Sequence, residues 1–418
     1  SFLFAGLVRS TDSLDAIGAP TWTRSGITAI TQLDCRILFL YNKKRKERYQ
    51  MEQSTVLKTF LDYVQISSES RSEKTFAKRV ENDLRSLGLR VQTDHAAEKA
   101  YANTGNVCAF LDGDSSFEPI LFSAHLDTVP PGKNICPVVE NGVIHSAGDT
   151  ILGSDDKSGV AAIMQALKWI VEQNIPHRPI EVAFTIGEEV GLLGAKYLDY
   201  TQFQSHHAVV FDNEGDVGTI VNQAPGHMEI AATITGKAAH AGVAPEDGIS
   251  AIIVAADAVT NMQLLRIDEE TTANIGTFLA EGPNNIVPET VRISAEIRSH
   301  NPQKLQKHCN QMIEALENAC RKYHAALQYT TEVSYVSYHI PQNDPLILLL
   351  RDCCDALGLP ASIVPTGGGS DANIFNTNGI RSVVVGTGME KIHSVSEYIT
   401  VQNLENTAKL ALELMKIR

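Results

Sequence analysis

Four short apolar runs, each delivering a histidine or a carboxylate at or just past its end, constrain this chain more than any other feature. Residues 120–124 lead straight into His125-Leu126-Asp127, and residues 180–186 into Gly187-Glu188-Glu189. Residues 208–211 deliver Asp212, and residues 382–386 lead into a loop carrying His393-Ser394-Val395-Ser396-Glu397. Runs of this length, predominantly apolar, read as strands. Helix-patterned segments separate them, at residues 73–87, 157–172 and 192–198 and again at 345–357, 372–376 and 401–416. That rhythm implies an α/β fold with a mostly parallel sheet flanked by helices. In open sheets of this kind ligands bind beyond the carboxyl ends of the strands, so independent segments send imidazoles and carboxylates to one edge.

Between residues 223 and 336 the rhythm changes. Strands at 227–235, 272–279, 291–298 and 326–335, with helices at 249–265 and 302–323, give the order β-α-β-β-α-β. Such an order suggests an inserted α+β, ferredoxin-like domain. The chain of 418 residues is long enough for both units. The expected organisation is a discontinuous catalytic domain, 51–222 and 337–418, with residues 223–336 as a lid and dimerisation domain. Residues 1–50 read differently: no methionine, no sustained period, and a basic run from Lys43 to Arg48 just before Met51. They are expected to lie outside the fold, either as translated upstream sequence or as a loosely attached extension.

With 49 acidic against 35 basic residues the formal net charge is −14, which argues against a nucleic-acid partner. Outside the short basic run there is no patch for a membrane surface, and no apolar stretch reaches the ~18–20 residues of a spanning helix. The seven cysteines show no paired spacing and read as reduced core residues of a cytoplasmic protein.

Neighbouring side chains on a strand point opposite ways, so Glu188 and Glu189 can serve different partners, one a metal and one a proton. In His125-Leu126-Asp127 the histidine and aspartate share a face, and the aspartate can orient the imidazole while the other ring nitrogen binds a metal. Asp155 stands at a helix start in Leu152-Gly153-Ser154-Asp155-Asp156-Lys157. Each piece has an ordinary reading, as a hydrogen-bonded pair, a helix cap or a packed histidine. Their coincidence at strand ends does not. A set of histidines and carboxylates without thiols suits two divalent ions, zinc or a similar metal such as cobalt or manganese, sharing one carboxylate.

These segments, in this order, resemble the zinc-dependent peptidases that include peptidase T, aminoacylase and carboxypeptidase G. The resemblance covers residues 51–418. Leu152 to Gly159 and Thr366-Gly367-Gly368-Gly369-Ser370-Asp371-Ala372 look most like the peptidase T-like branch. It implies a zinc-exopeptidase-like fold and the following roles. Asp155 bridges two metals, His125 and Asp212 complete one site, and His393 and Glu189 complete the other. Glu188 is the general base and Asp127 orients His125. In the insert, His240 resembles an oxyanion-stabilising lid histidine that comes from a partner subunit, while Asn285 and Arg298 look like holders of the substrate carboxylate. Gly368 and Gly369 precede a helix start and offer backbone N–H groups to an anion. The expected activity is removal of the first residue from short peptides, by a homodimer joined through its lid. Deacylation of N-acyl amino acids or carboxypeptidase action is the enzymatic alternative, and a metal-binding pseudoenzyme acting through its dimer surface is the non-enzymatic one.

Overall fold

The computed structural model describes residues 55–417. The expected leader, with its boundary at Met51, lies outside the described residues. A nine-stranded sheet forms the larger layer. At its centre, Ile120–His125 lies between Ile180–Thr185 and His207–Asn213, parallel to both, and Arg381–Gly386 adds a fourth parallel strand beside His207–Asn213. The flanks are mostly antiparallel: Val107–Leu111 joins Ile180–Thr185 and carries Arg90–Thr93, and on the other side Thr219–Ala224 pairs antiparallel with Arg381–Gly386 and Tyr338–His339 but parallel with Ser362–Pro365. The sheet is therefore mixed, with a central parallel block formed by the strands whose ends carry the histidine and carboxylates.

Every residue of Ile120–His125 and Ile180–Thr185 is buried, because helices cover both faces. The helix Ser154–Glu172 packs against Val401–Met415 and Thr55–Val64. Gly159 lets that helix approach the sheet: a Cβ there would sit 2.4 Å from the Phe211 carbonyl oxygen. The chain leaves Ile120–His125 for a neighbour on one side and then returns to a neighbour on the other. This reversal opens a crevice at the carboxyl ends.

Residues 226–335 build a second, five-stranded antiparallel sheet, in which Gly226–Thr235 pairs with both Thr290–Ser299 and Ala326–Tyr335, and Thr271–Leu279 lies outside Thr290–Ser299. Leu265–Arg266 adds a short edge. Two helices, Ala251–Thr260 and Pro302–Tyr323, cover one face over a core that includes Ile234, Val254, Val291, Ile293 and Leu316. The first of these helices is shorter than the apolar pattern at 249–265 suggests. Ile249 is still exchanging backbone hydrogen bonds with Lys237, and the chain turns at Asn261. Alternation along the strands leaves His227, Glu229, Glu296 and Arg298 on the helix-free face.

A small four-stranded sheet, Pro137–Glu140, Val143–Ser146, Met389–Glu390 and Tyr398–Thr400, has no counterpart in the sequence reading. It ties the segment before Asp155 to the loop carrying His393. Of the cysteines, Cys108, Cys309, Cys320, Cys353 and Cys354 are buried as expected, but Cys136 is exposed, one residue before an edge strand of this small sheet. Among the described residues no helix is long and apolar enough to cross a membrane.

Candidate active site

The four parallel strands end side by side, and the side chains they deliver meet. His125 is the last residue of its strand and almost completely buried. Its Nε2 lies 2.9 Å from Asp155 Oδ1 and 3.5 Å from Asp212 Oδ1. Asp155 turns its other oxygen away, placing Oδ2 3.1 Å from His393 Nε2. The same His393 nitrogen is 2.9 Å from Glu189 Oε1. Asp155 thus stands between the two imidazoles with one oxygen toward each. Two sets of donor atoms lie close enough to hold an ion, His125 with Asp155 and Glu189, and His125 with Glu188 and Asp212.

So much negative charge in so little water distorts the acid–base equilibria. Burial, reinforced by the Asp212 charge, pushes the Glu188 carboxyl well above the ordinary carboxylate range. Burial also raises Asp212 to about 7. Hydrogen bonds to Asp155 and Glu189 raise His393 to about 10, and carboxylates around His125 hold its imidazole protonated although burial opposes this. Protons thus balance charge that a bound cation would otherwise balance.

Asp127 does more than the sequence suggests. Its carbonyl oxygen lies 2.9 Å from His125 Nδ1 and its carboxylate 3.4 Å from the same nitrogen. The carboxylate also accepts the backbone N–H groups of Glu188 (3.0 Å) and Glu189 (3.2 Å) and the hydroxyl of Ser70 (2.8 Å). One buried aspartate therefore fixes the imidazole and the turn bearing both glutamates.

Three positioning groups escaped the sequence reading. Glu397 accepts four hydrogen bonds, from the N–H groups of Leu152, Gly153 and Asp155 and the hydroxyl of Ser154. It thereby holds the loop that presents Asp155, and its place in the same motif as His393 was the available signal. Glu73 accepts the N–H of Gly187 at 3.1 Å, directly before the glutamate pair. Asp371 accepts the Thr185 hydroxyl at 2.5 Å, beneath that turn. Glu73 has no local signature, and Asp371, although it stands in the motif at residues 366–372, gives no local sign of its partner, since each acts across long sequence distances.

A cavity of about 610 Å³ opens over the cluster. Asp155, Glu188, Glu189, Asp212 and His393 form its floor, and Gly368 and Gly369 border it. The five-stranded sheet contributes Arg298, His227 and Tyr335. Gly369 is glycine for a steric reason: a Cβ there would lie 2.2 Å from Tyr335 Cζ. Arg298 is half-buried and donates from Nη2 to Glu296 at 3.0 Å. His240 and Asn285 are exposed and do not line this cavity. They adjoin each other instead, with Ala241 N–H donating to the Asn285 carbonyl and His240 bridging to Ile286.

Residues 121–417, which include every residue of the cluster, match the model of peptidase family M20/M25/M40. YqjE of Bacillus subtilis, described as uncharacterized, is 38% identical over 366 residues, covering 88% of this chain and 99% of that protein. The crystal structure of aminopeptidase PepT from Bacillus cereus is 38% identical with a TM-score of 0.81, over 87% of this chain and 98% of that one. A tripeptidase from Staphylococcus aureus is 39% identical with a TM-score of 0.83, over 86% and 97% of the two chains. With the match extending across most of its length and the fold shared at this level, the chain belongs to peptidase family M20/M25/M40.

Proposed function

We propose that this protein is a two-metal aminopeptidase that removes the first residue from short peptides. The observation that carries the metal part is Asp155, whose two oxygens face two different histidines in a buried cluster. The donors, imidazole and carboxylate without thiolate, suit zinc, with cobalt or manganese as substitutes. His125, Asp155 and Asp212 would hold one ion, and Asp155, Glu189 and His393 the other. Bound there, the pair supplies Lewis acidity toward the scissile carbonyl and lowers the pKa of water.

The remaining steps belong to the chain. Glu188, not spent on a metal, takes the proton of the attacking water and passes it to the leaving amine. Its buried setting supports this role, since a carboxyl pushed above its usual range has the proton affinity a base needs. Asp127 keeps the glutamate turn and His125 in register. Arg298 receives the substrate carboxylate. Its buried Nε has no hydrogen-bond partner among the described residues, so the guanidinium has donor capacity to spare. Gly368 and Gly369 line the path of the peptide backbone. Cleavage of peptides by the similar PepT and tripeptidase, as their names state, supports the substrate class.

His240 and Asn285 fit a different part of the reading. Exposed on the five-stranded domain and remote from their own cavity, they would complete the site of a partner subunit in a homodimer. That domain, residues 223–336, is then both lid and dimer surface, on a catalytic domain of residues 51–222 and 337–418. The acidic composition and reduced cysteines fit a cytoplasmic enzyme. Incubation with unblocked tripeptides and with N-acyl amino acids tests the whole: release of the N-terminal residue is expected, and cleavage of only the acyl compounds would overturn the assignment. Metal analysis of the purified protein is expected to give two ions per chain.

A further inference from the structure

The two backbone connections between the five-stranded sheet and the rest of the molecule converge on one side chain. Asn373 is completely buried in the short helix that follows the glycine loop. Its Oδ1 accepts the N–H of Ser370 at 3.1 Å, which closes a capping box at the helix start. Its Nδ2 donates twice, to the carbonyl of Pro225 at 3.0 Å and to that of Val336 at 2.7 Å. Pro225 stands immediately before the strand Gly226–Thr235, and Val336 immediately after Ala326–Tyr335. A single amide therefore ties the entry to the sheet, the exit from it and the loop bordering the cavity.

What those strands carry makes the junction functional. In register, His227 pairs with Arg298 on one side and Tyr335 on the other. The Tyr335 ring lies 5.2 Å from the His227 ring and against Gly369. A bulge between Val333 and Tyr335 re-aims the tyrosine at that contact. The position of Arg298 over the cluster is thus set within one or two residues of the carbonyls that Asn373 holds.

We propose that Asn373 is a positioning residue, which sets the arginine-bearing face of the five-stranded sheet against the Glu188 cluster and so governs recognition of the substrate carboxylate. The inference rests on the aminopeptidase reading above. The alternative role, a helix cap and nothing more, uses only Oδ1. Asn373→Asp separates the two roles, because aspartate keeps an oxygen for Ser370 but has at most one donor, when protonated, in place of the two that serve Pro225 and Val336.

The test compares one tripeptide with its C-terminal amide, on zinc-loaded wild type, Asn373→Asp and Asn373→Ser. In Asn373→Asp the kcat/KM for the free tripeptide is expected to fall about 10- to 100-fold, mainly through KM, as at least one of the two buried acceptors loses its donor. For the amide, which offers no carboxylate to Arg298, a loss of about threefold or less is expected, with metal content unchanged. Asn373→Ser buries no charge and keeps at most one donor, and it should show the same split at smaller size if the aspartate variant does not fold. Equal losses on both peptides, or no loss on either, would overturn the inference. A wild type that cleaves neither peptide would instead overturn the aminopeptidase reading, and the inference with it.

Discussion

The two halves of the site are built to different standards of rigidity. At the strand ends, each chemical side chain is buried or bordered by groups that hold it from several directions. Asp127 alone accepts three hydrogen bonds and contacts His125, and Glu397 accepts four. On the five-stranded sheet, Arg298 makes one ion pair among the described residues, to Glu296, and His240 and Asn285 stand exposed. The difference follows from the work. Proton transfer and metal ligation demand sub-ångström placement and reward pre-organisation. On the proposed reading, substrate capture falls to the five-stranded sheet, which is joined to the rest by two backbone connections and carries fewer such restraints.

The largest effect that can break this contrast comes from the base. Glu188→Ala is expected to lower kcat roughly 10³-fold while metal content and fold persist, because on the proposed reading the residue moves a proton and is not a ligand. Turnover within tenfold of wild type would remove Glu188 from that role. Next comes the rigid half's own scaffold. Glu397→Gln keeps the shape of the side chain but turns an N–H₂ group toward backbone donors, loosening the loop that presents Asp155. Metal affinity, measured by competition with a chromogenic chelator, should fall about 10- to 100-fold. The adaptable half should respond more mildly: Arg298→Lys, which keeps charge but loses the planar pair of donors, should raise KM for tripeptides about tenfold with kcat nearly unchanged.

The same contrast explains what the sequence disclosed. Strand ends were legible because residues 120–124 and 180–186 are predominantly apolar and lead directly into histidine and carboxylates, and a strand buried on both faces has little freedom to be anything else. The helix Pro302–Tyr323 was legible at both ends: Asn301 caps its first turn, Pro302 starts it, and His324 in the left-handed region ends it. The small four-stranded sheet was missed because its strands are short and half-exposed. Yet Asn141-Gly142, both at positive φ, was a hairpin signal in plain view between two of them. Glu73, Asp371 and Asn373 were illegible for another reason. Each acts on a group more than thirty residues away, a backbone group for Glu73 and Asn373 and the Thr185 hydroxyl, closer to two hundred residues off, for Asp371, and no periodicity encodes such a contact. The exposed positions of His240 and Asn285, away from the cavity over the cluster, were equally beyond local pattern, since a match to a motif gives chemistry but not placement.

The smallest predicted effect probes the rigid half from behind. Glu73 is buried, accepts the N–H groups of Arg71 and Gly187 through Oε1, and leaves Oε2 without a partner among the described residues. Burial, with the Asp127 charge beside it, raises its carboxyl from 4.5 to about 7. The folded state therefore prefers the protonated acid. Its contribution to stability is complete below pH 4.5 and is lost as pH rises through 7. Glutamine mimics the neutral acid, keeping the acceptor and putting a permanent donor where Oε2 stands. Glu73→Gln should thus be nearly neutral in urea unfolding at pH 4.5 and more stable than wild type at pH 8. The pKa change sets a ceiling near 3 kcal/mol, which relaxation around a buried ion should reduce to about 1 kcal/mol. A stability difference that does not change between those two pH values would mean that Glu73 is ionised in the folded protein, with its second oxygen satisfied by water, and that the turn before Glu188 is held by a charge.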